Sequence, residues 1–350
     1  MKRGNESKIA AFREQITKIK EDIAQKKTKP VYILMGEESY FIDVVTKEFE
    51  DNFIGEDGFR EFNQTVLYGK ETSVEDIISV ARSYPMMAER RLVILKEAQQ
   101  FKDLELLETY ISKPVSSTVL VICYMHKKLE AKKTAIKKML SSKNVYTFVA
   151  ERLNEDDIIN WISISFKRKQ IQIDLKASIV LHELIGNDMS RLHSEIEKMS
   201  LSLEPGSEVK VEEVSGSVFM SKEYGPFDLQ SALSKNNRER AYKIMHYFSQ
   251  PRNIDMLPVI LSSLYSFICK IMIYHTEASR QNIKKPADIY NYTKVFDLNE
   301  FSNAVRVYSF DRCKKIIRVL HETDLKLKGV DMAGTDKTGL MKELVYHLLN

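Results

Sequence analysis

The stretch KPVYILMGEESYFIDVVTKEF, residues 29–49, decides the reading of the fold. Positions 31–35 form a short apolar run, Gly36 follows, and a helical pattern begins after the glycine. A strand that turns through glycine into a helix opens a nucleotide-binding α/β domain, and a P-loop carries Gly-Lys-Ser or Gly-Lys-Thr at that turn. Here Gly36, Glu37, Glu38 and Ser39 stand in its place. Two carboxylates replace the phosphate cradle, and like charge opposes a triphosphate.

The pattern continues downstream. Strand-like runs fall at 31–35, 62–67, 91–95, 118–124 and 145–148, with helical patterns at about 40–50, 73–84, 103–112 and 128–140 between them. Such alternation predicts a mostly parallel sheet covered on both faces. Ahead of it, residues 1–28 read as a charged helical extension with a thin apolar stripe of Ile9, Phe12, Ile16 and Ile19. After Ala150 strand signals nearly vanish. Asn154 reads as an N-cap, and Glu155, Asp156 and Asp157 place charge against the helix dipole rather than build a metal site. Helices follow at about 174–185 and 188–203, then a short segment at 209–214. Tyr224-Gly225-Pro226 reads as a hinge, and the remainder is helical. Phe310, Cys313, Ile316, Ile317, Leu320 and Leu327 share one helical face.

At 350 residues the chain has room for two or three domains, and its apolar and charged fractions, 43% and 29%, are those of an ordinary globular protein. A net charge of +4 permits an anionic partner without demanding one. Cys123, Cys269 and Cys313 are too scattered for a zinc module or a disulfide framework, which fits a reducing, cytoplasmic location. Residues 1–28 are too polar for a signal peptide. The apolar stretch 256–274 includes Pro258, three serines and Lys270, so it reads as a buried bundle helix rather than a membrane span.

Catalytic motifs are missing. The third strand runs into Lys96-Glu97, where an ATPase needs an acidic residue for Mg²⁺. The phosphate-binding lysine, the hydroxyl beside it and the metal-holding pair are thus degraded together, which implies an unused nucleotide pocket. HExxH, GxSxG and GxGxxG are all absent. No catalytic residue, metal site or cofactor emerges.

Two binding features remain. Lys127, Lys128, Lys132, Lys133, Lys137 and Lys138 form a basic cluster opposed in sequence only by Glu130. It could face nucleic-acid phosphate, or be a solvated helix, since no aromatic residues are interleaved for stacking. The second feature is Ser83-Tyr84-Pro85-Met86-Met87-Ala88-Glu89-Arg90. Thr72 and Glu75 resemble a capping box for the preceding helix, whose inward stripe is Val74, Ile77, Ile78, Ala81 and, at its end, Tyr84. If the helix continued, Met86 and Met87 would lie about 120° and 140° off that stripe, on opposite sides. Pro85 ends the helix before them. Two adjacent methionines at such a corner either fold back into a local core or suit a partner's apolar pocket.

In order and spacing, these features resemble the delta subunit of the bacterial DNA polymerase III clamp loader, from about residue 30 to the end of the chain. The residues that carry the likeness are VYILMGEES at 31–39, SYPMMAERRLVIL at 83–95, GNDMSRLHSEIEK at 186–198, PFDL at 226–229 and HETDLKLKG at 321–329. The resemblance implies an AAA+-like (P-loop type) α/β domain with a parallel sheet at 29–150, a small helical lid at 151–223 and an all-α collar at 224–350, behind the extension at 1–28. It implies a role in DNA replication: binding the sliding clamp, the beta ring, and holding it open for loading onto primed DNA, without ATP hydrolysis of its own. The implied partners are the clamp, the delta-prime and tau/gamma subunits through the collar, and primed DNA, with no membrane. Met86 and Met87, flanked by Tyr84 and Pro85, match the family's clamp contact, where Leu-Phe or similar is common. A delta-prime or ATP-binding subunit would carry a four-cysteine module or the missing lysine. An ATP-dependent helicase-like enzyme and a stand-alone DNA-binding protein built on the lysine cluster are the alternatives from other classes.

Overall fold

In the computed structural model the chain divides into two compact units, Met1–Asp157 and Ile158–Asn350. The structure describes residues 8–55, 59–218, 224–250, 256–295, 297–330 and 337–349.

The first unit contains α1 (Lys8–Ala24), β1 (Val31–Gly36), α2 (Ser39–Asn52), the one-turn α3 (Arg60–Asn63), β2 (Gln64–Tyr68), α4 (Val74–Arg82), β3 (Arg91–Lys96), α5 (Glu108–Ser112), β4 (Thr118–Met125), α6 (Thr134–Ser141) and β5 (Val145–Ala150). The strands make one parallel sheet in the order β2-β3-β4-β1-β5. β1 is buried at every position, as expected of a strand covered on both faces. Alternate side chains go to opposite faces. Val31, Ile33, Val93, Leu95, Leu120 and Ile122 join one core with Ile77 and Ala81 of α4, Tyr110 and Ile111 of α5, and Ile136 and Met139 of α6. On the other face Tyr32 packs its ring 4.7 Å from Phe49 of α2. The expected parallel α/β domain is therefore present.

Several details differ from the sequence reading. The N-terminal helix packs by its apolar stripe, with Ile23 added to it: Ile9, Phe12, Ile19 and Ile23 are buried, and the Phe12 ring lies 4.9 Å from Phe41 and 6.1 Å from Phe148. Ile16, placed in its stripe, is only half-buried. The second strand starts at Gln64 rather than 62, because α3 precedes it. The helix expected at 103–112 is a 3-10 turn (Leu104–Leu107) followed by α5. The helix expected at 128–140 starts only at Thr134. The backbone before it is used in tertiary pairing: the Lys127 carbonyl accepts from Gly36 N at 3.2 Å, and Leu129 N donates to Met35 Sδ at 3.3 Å. Tertiary hydrogen bonds override helix propensity there.

The second unit holds α7 (Glu155–Arg168), the two-residue strands β6 (Gln172–Ile173) and β7 (Glu208–Val209), and α8 (Leu175–Ile185), α9 (Met189–Leu201), α10 (Val211–Val218), α11 (Pro226–Ser234), α12 (Arg238–Phe248), α13 (Leu257–Ser279), α14 (Leu298–Val307), α15 (Phe310–Leu327) and α16 (Lys337–Leu349). Asn154 caps α7 as expected, its Oδ1 accepting from Asp157 N at 2.8 Å. Among the described residues no acidic or histidine cluster could hold a metal. The 209–214 segment pairs at its first residue and leads into a helix, α10, as expected. Gly186 at φ 79° ends α8, and Asp188 caps α9 by accepting from Arg191 N at 2.9 Å. The GNDMS stretch is thus a helix stop followed by a helix start. Gly225, read as part of a hinge, is the N-cap of α11; its N–H donates to Asp228 Oδ2 at 2.9 Å, while 219–223 lie outside the described residues.

α13 is long and apolar enough to cross a membrane, yet Leu257, Ile260, Leu261, Leu264, Ile268 and Ile271 are buried in the helical core. Its Lys270 is buried against Glu183 of α8 in an ion pair. α13 is therefore packed as a core helix. On α15, Cys313, Ile316 and Leu320 are buried as expected and Ile317 and Leu327 pack at the margin, but Phe310 is exposed at the first turn. α16 is tied in by Tyr308, whose hydroxyl donates to the Leu348 carbonyl at 3.2 Å, and by Arg312, whose Nη2 donates to the same oxygen at 3.0 Å.

Candidate functional site

In open α/β sheets, ligands bind beyond the carboxyl ends of the strands where the order reverses. β1 runs between β4 and β5, so the Gly36 turn lies at that point. It is closed by the protein itself. Gly36 takes φ 143°, and a Cβ there would lie 2.0 Å from the Ala150 carbonyl oxygen. Gly36 N donates to Lys127 O, and Glu38 N donates to Ala150 O at 3.1 Å. A phosphate cradle needs such amides free. Ser39 Oγ lies 3.1 Å from His126 Nδ1. At the end of β3, Lys96 pairs with Glu50 at 2.7 Å. Burial raises the pKa of nearby Asp43, Glu50 adds to the rise, and Lys96 and His126 oppose it. A cation thus sits where Mg²⁺ would need carboxylates, and Glu97 turns to Gln100, accepting from its Nε2 at 2.6 Å.

The turn after α4 has a different character. The helix begins one residue later than the sequence suggested: the capping box is Ser73 with Asp76, not Thr72 with Glu75. Val74, Ile77 and Ala81 are buried, and Ile78 is half-buried. The last turn is held by Tyr110, whose hydroxyl donates to the Ala81 carbonyl at 3.3 Å. α4 stops at Arg82, ahead of Pro85, and the chain turns outward. Tyr84, assigned to the inward stripe by periodicity, is 86% exposed; Met86 is 56% and Met87 80% exposed. The methionines do not fold back into a local core.

The backbone beneath them is nonetheless fixed. Asn63, fully buried at the end of α3, accepts from Met86 N at 2.7 Å and donates to Met86 O at 2.8 Å. Met87 adopts φ 52°, a left-handed conformation that costs a non-glycine residue about 1–2 kcal/mol. Beyond it, Arg90 donates to Thr28 Oγ1 at 2.9 Å and to the Lys26 carbonyl at 2.6 Å. Phe59 and Phe62, at the two ends of the turn leading to Asn63, are also exposed. Sequence reading missed Asn63, Phe59 and Phe62. A lone asparagine ahead of an apolar run carries no periodic signal, and the pattern places Phe62 at the start of a strand rather than on the turn before it.

The six lysines do not form one stripe. Only Lys137 and Lys138 lie on α6. Lys128 pairs with Glu151 at 2.6 Å, Lys132 with Glu130 at 2.6 Å and Lys133 with Glu105 at 2.5 Å, so more carboxylates oppose the cluster than Glu130 alone. Lys127 sits 5.6 Å from the Tyr124 ring centroid.

Comparison with known proteins gives concordant matches. Residues 32–149 match the family model described as DNA polymerase III, delta subunit. The DNA polymerase III subunit delta of Bacillus subtilis is 24% identical over 312 residues, covering 85% of this chain and 88% of that protein. A probable DNA polymerase III subunit delta of Aquifex aeolicus is 25% identical over 319 residues, covering 85% and 87%. In fold, the chain is similar to a Bacillus subtilis DNA clamp loader delta protein, with a TM-score of 0.58 at 22% identity over 95% of this chain and 99% of that one. The family match falls on the parallel α/β unit that carries both the closed glycine turn and the methionine turn, and the two sequence relatives cover 85% of the chain: in sequence the chain is similar to the delta subunit of DNA polymerase III.

Proposed function

We propose that this clamp-loader subunit binds the sliding clamp through Met86 and Met87 and holds one clamp interface open for loading onto primed DNA. The observation that carries the reading is an adjacent pair of exposed methionines on a backbone turn fastened at both ends. Exposed apolar side chains on a rigid support suit a partner's pocket, and Tyr84 and Pro85 flank them. The helical second unit, with its lid-like and collar-like parts, keeps the subunit with its delta-prime and tau/gamma partners. The lysines serve at most as a weak contact to primed DNA, because carboxylates answer half of them.

Burying a Met side chain contributes roughly 1.5–3 kcal/mol. Truncating both to Ala is expected to cost about 2–5 kcal/mol of clamp binding, which is about a 30- to 3000-fold loss of affinity. The melting temperature should barely move, since the side chains are exposed in the free protein. Surface plasmon resonance beside a thermal melt checks both; unchanged affinity, or a large fall in melting temperature, rejects the anchor.

A further inference from the structure

We propose that Asn63 is the positioning residue of the Met86–Met87 anchor. The inference rests on the clamp-binding reading above and adds a residue 23 positions upstream that has no exposed surface of its own. The Asn63 side chain is wholly buried, and both ends of its amide are bonded to backbone. Oδ1 accepts from Met86 N and Nδ2 donates to Met86 O, the paired bonds that a residue on a neighbouring strand would supply. A third contact, from Nδ2 to the Phe59 carbonyl at 3.3 Å, ties the preceding loop to the same point.

A buried asparagine needs its hydrogen bonds satisfied, and core backbone could do that. Here they go to a turn whose side chains face outward. Met87, the next residue, sits at φ 52°, a conformation that persists only where the surroundings fix it. Asn63 fixes it on one side, and Arg90, bonded to Thr28 and Lys26, on the other. Methionine side chains are flexible, so a backbone ordered before binding lowers the ordering cost of inserting them. Phe59 and Phe62, also exposed, lie on the segment whose backbone the same amide ties to the methionine turn.

The test uses the full chain and the purified sliding clamp of the same organism. Asn63→Asp keeps the size and the acceptor for Met86 N but sets a carboxylate oxygen against the Met86 carbonyl; Asn63→Ser removes both bonds. Each is expected to lower clamp affinity by about tenfold or more, from loss of buried hydrogen bonds, and to speed amide hydrogen exchange in residues 84–88. In a chain already carrying Met86→Ala and Met87→Ala, the same Asn63 substitutions should change affinity no further. A purely structural Asn63 would lower the melting temperature while leaving the affinity of the folded protein unchanged, or lower affinity equally in both backgrounds, and either result overturns the proposal. Failure of both variants to fold also overturns it, by assigning Asn63 to the core. If the methionine double variant alone keeps full affinity, the anchor reading itself fails; if it loses affinity and the Asn63 variants do not, only the positioning role fails.

Discussion

At Gly36 the turn where a phosphate would sit is filled by the protein's own backbone. A Cβ at residue 36 would lie 2.0 Å from the Ala150 carbonyl oxygen, so only glycine fits there at φ 143°, and the Gly36 and Glu38 amides are bonded to Lys127 and Ala150. Glu37 and Glu38 add negative charge, and Lys96 is committed to Glu50. Phosphate would have to displace backbone bonds and face Glu37 and Glu38. Isothermal titration of the isolated chain with Mg-ATP is therefore expected to show no binding in the micromolar range; a micromolar isotherm would refute the assignment. Glu37, Glu38 and Lys96 were legible as substitutions in the sequence. That the amides are occupied was not, because their partners come from the ends of β4 and β5, which only the sheet order brings to β1.

At the scale of elements, the buried ion pair between Lys270 of α13 and Glu183 of α8 joins the two regions that the resemblance separates into lid and collar. Both side chains are nearly inaccessible, so breaking the pair by Lys270→Met leaves a carboxylate buried without its counter-charge. Removing one partner of such a pair typically costs about 3–5 kcal/mol, whereas replacing both with apolar residues of similar volume is often neutral. Lys270→Met alone should markedly lower the urea midpoint, and Lys270→Met with Glu183→Leu should recover most of the loss. Equal midpoints for the single variant and the wild type would show the pair to be energetically idle. The sequence presented Lys270 only as an interruption in an apolar run. It placed α4 well, because its period is strong, but misjudged Tyr84: Pro85 takes the chain off the helix before the stripe reaches it.

For the whole molecule, the division into two compact units changes where the chain is best cut. The resemblance implies a domain boundary near residue 224, and within the compact unit 158–350 the Glu183–Lys270 pair joins residues from either side of that position. A cut at 224 would expose that pair and the apolar faces packed around α13, whereas a chain of residues 1–157 retains the sheet, both covering layers and the methionine turn. This fragment is expected to bind the clamp within about threefold of the full chain, a difference of under 1 kcal/mol, and to lose co-purification with the other clamp-loader subunits. Normal co-purification of the fragment would remove assembly from the helical unit.

Periodicity and composition by themselves determined the parallel α/β class, the helical second half, the degraded phosphate turn and the presence of two methionines at a helix end. These are local facts: apolar period, glycine and proline placement, and side-chain charge are all read within a few residues. Tertiary structure alone decided that the charged N-terminal helix packs on α2, that three of the six lysines meet carboxylates, and that Met86 and Met87 face outward. It also decided that Asn63 holds them. Each of these depends on partners distant in sequence: Phe12 with Phe41 and Phe148, Lys133 with Glu105, Asn63 with Met86. A side chain's burial and its hydrogen bonds are set by what the fold brings against it, and a single sequence does not encode that in any local period.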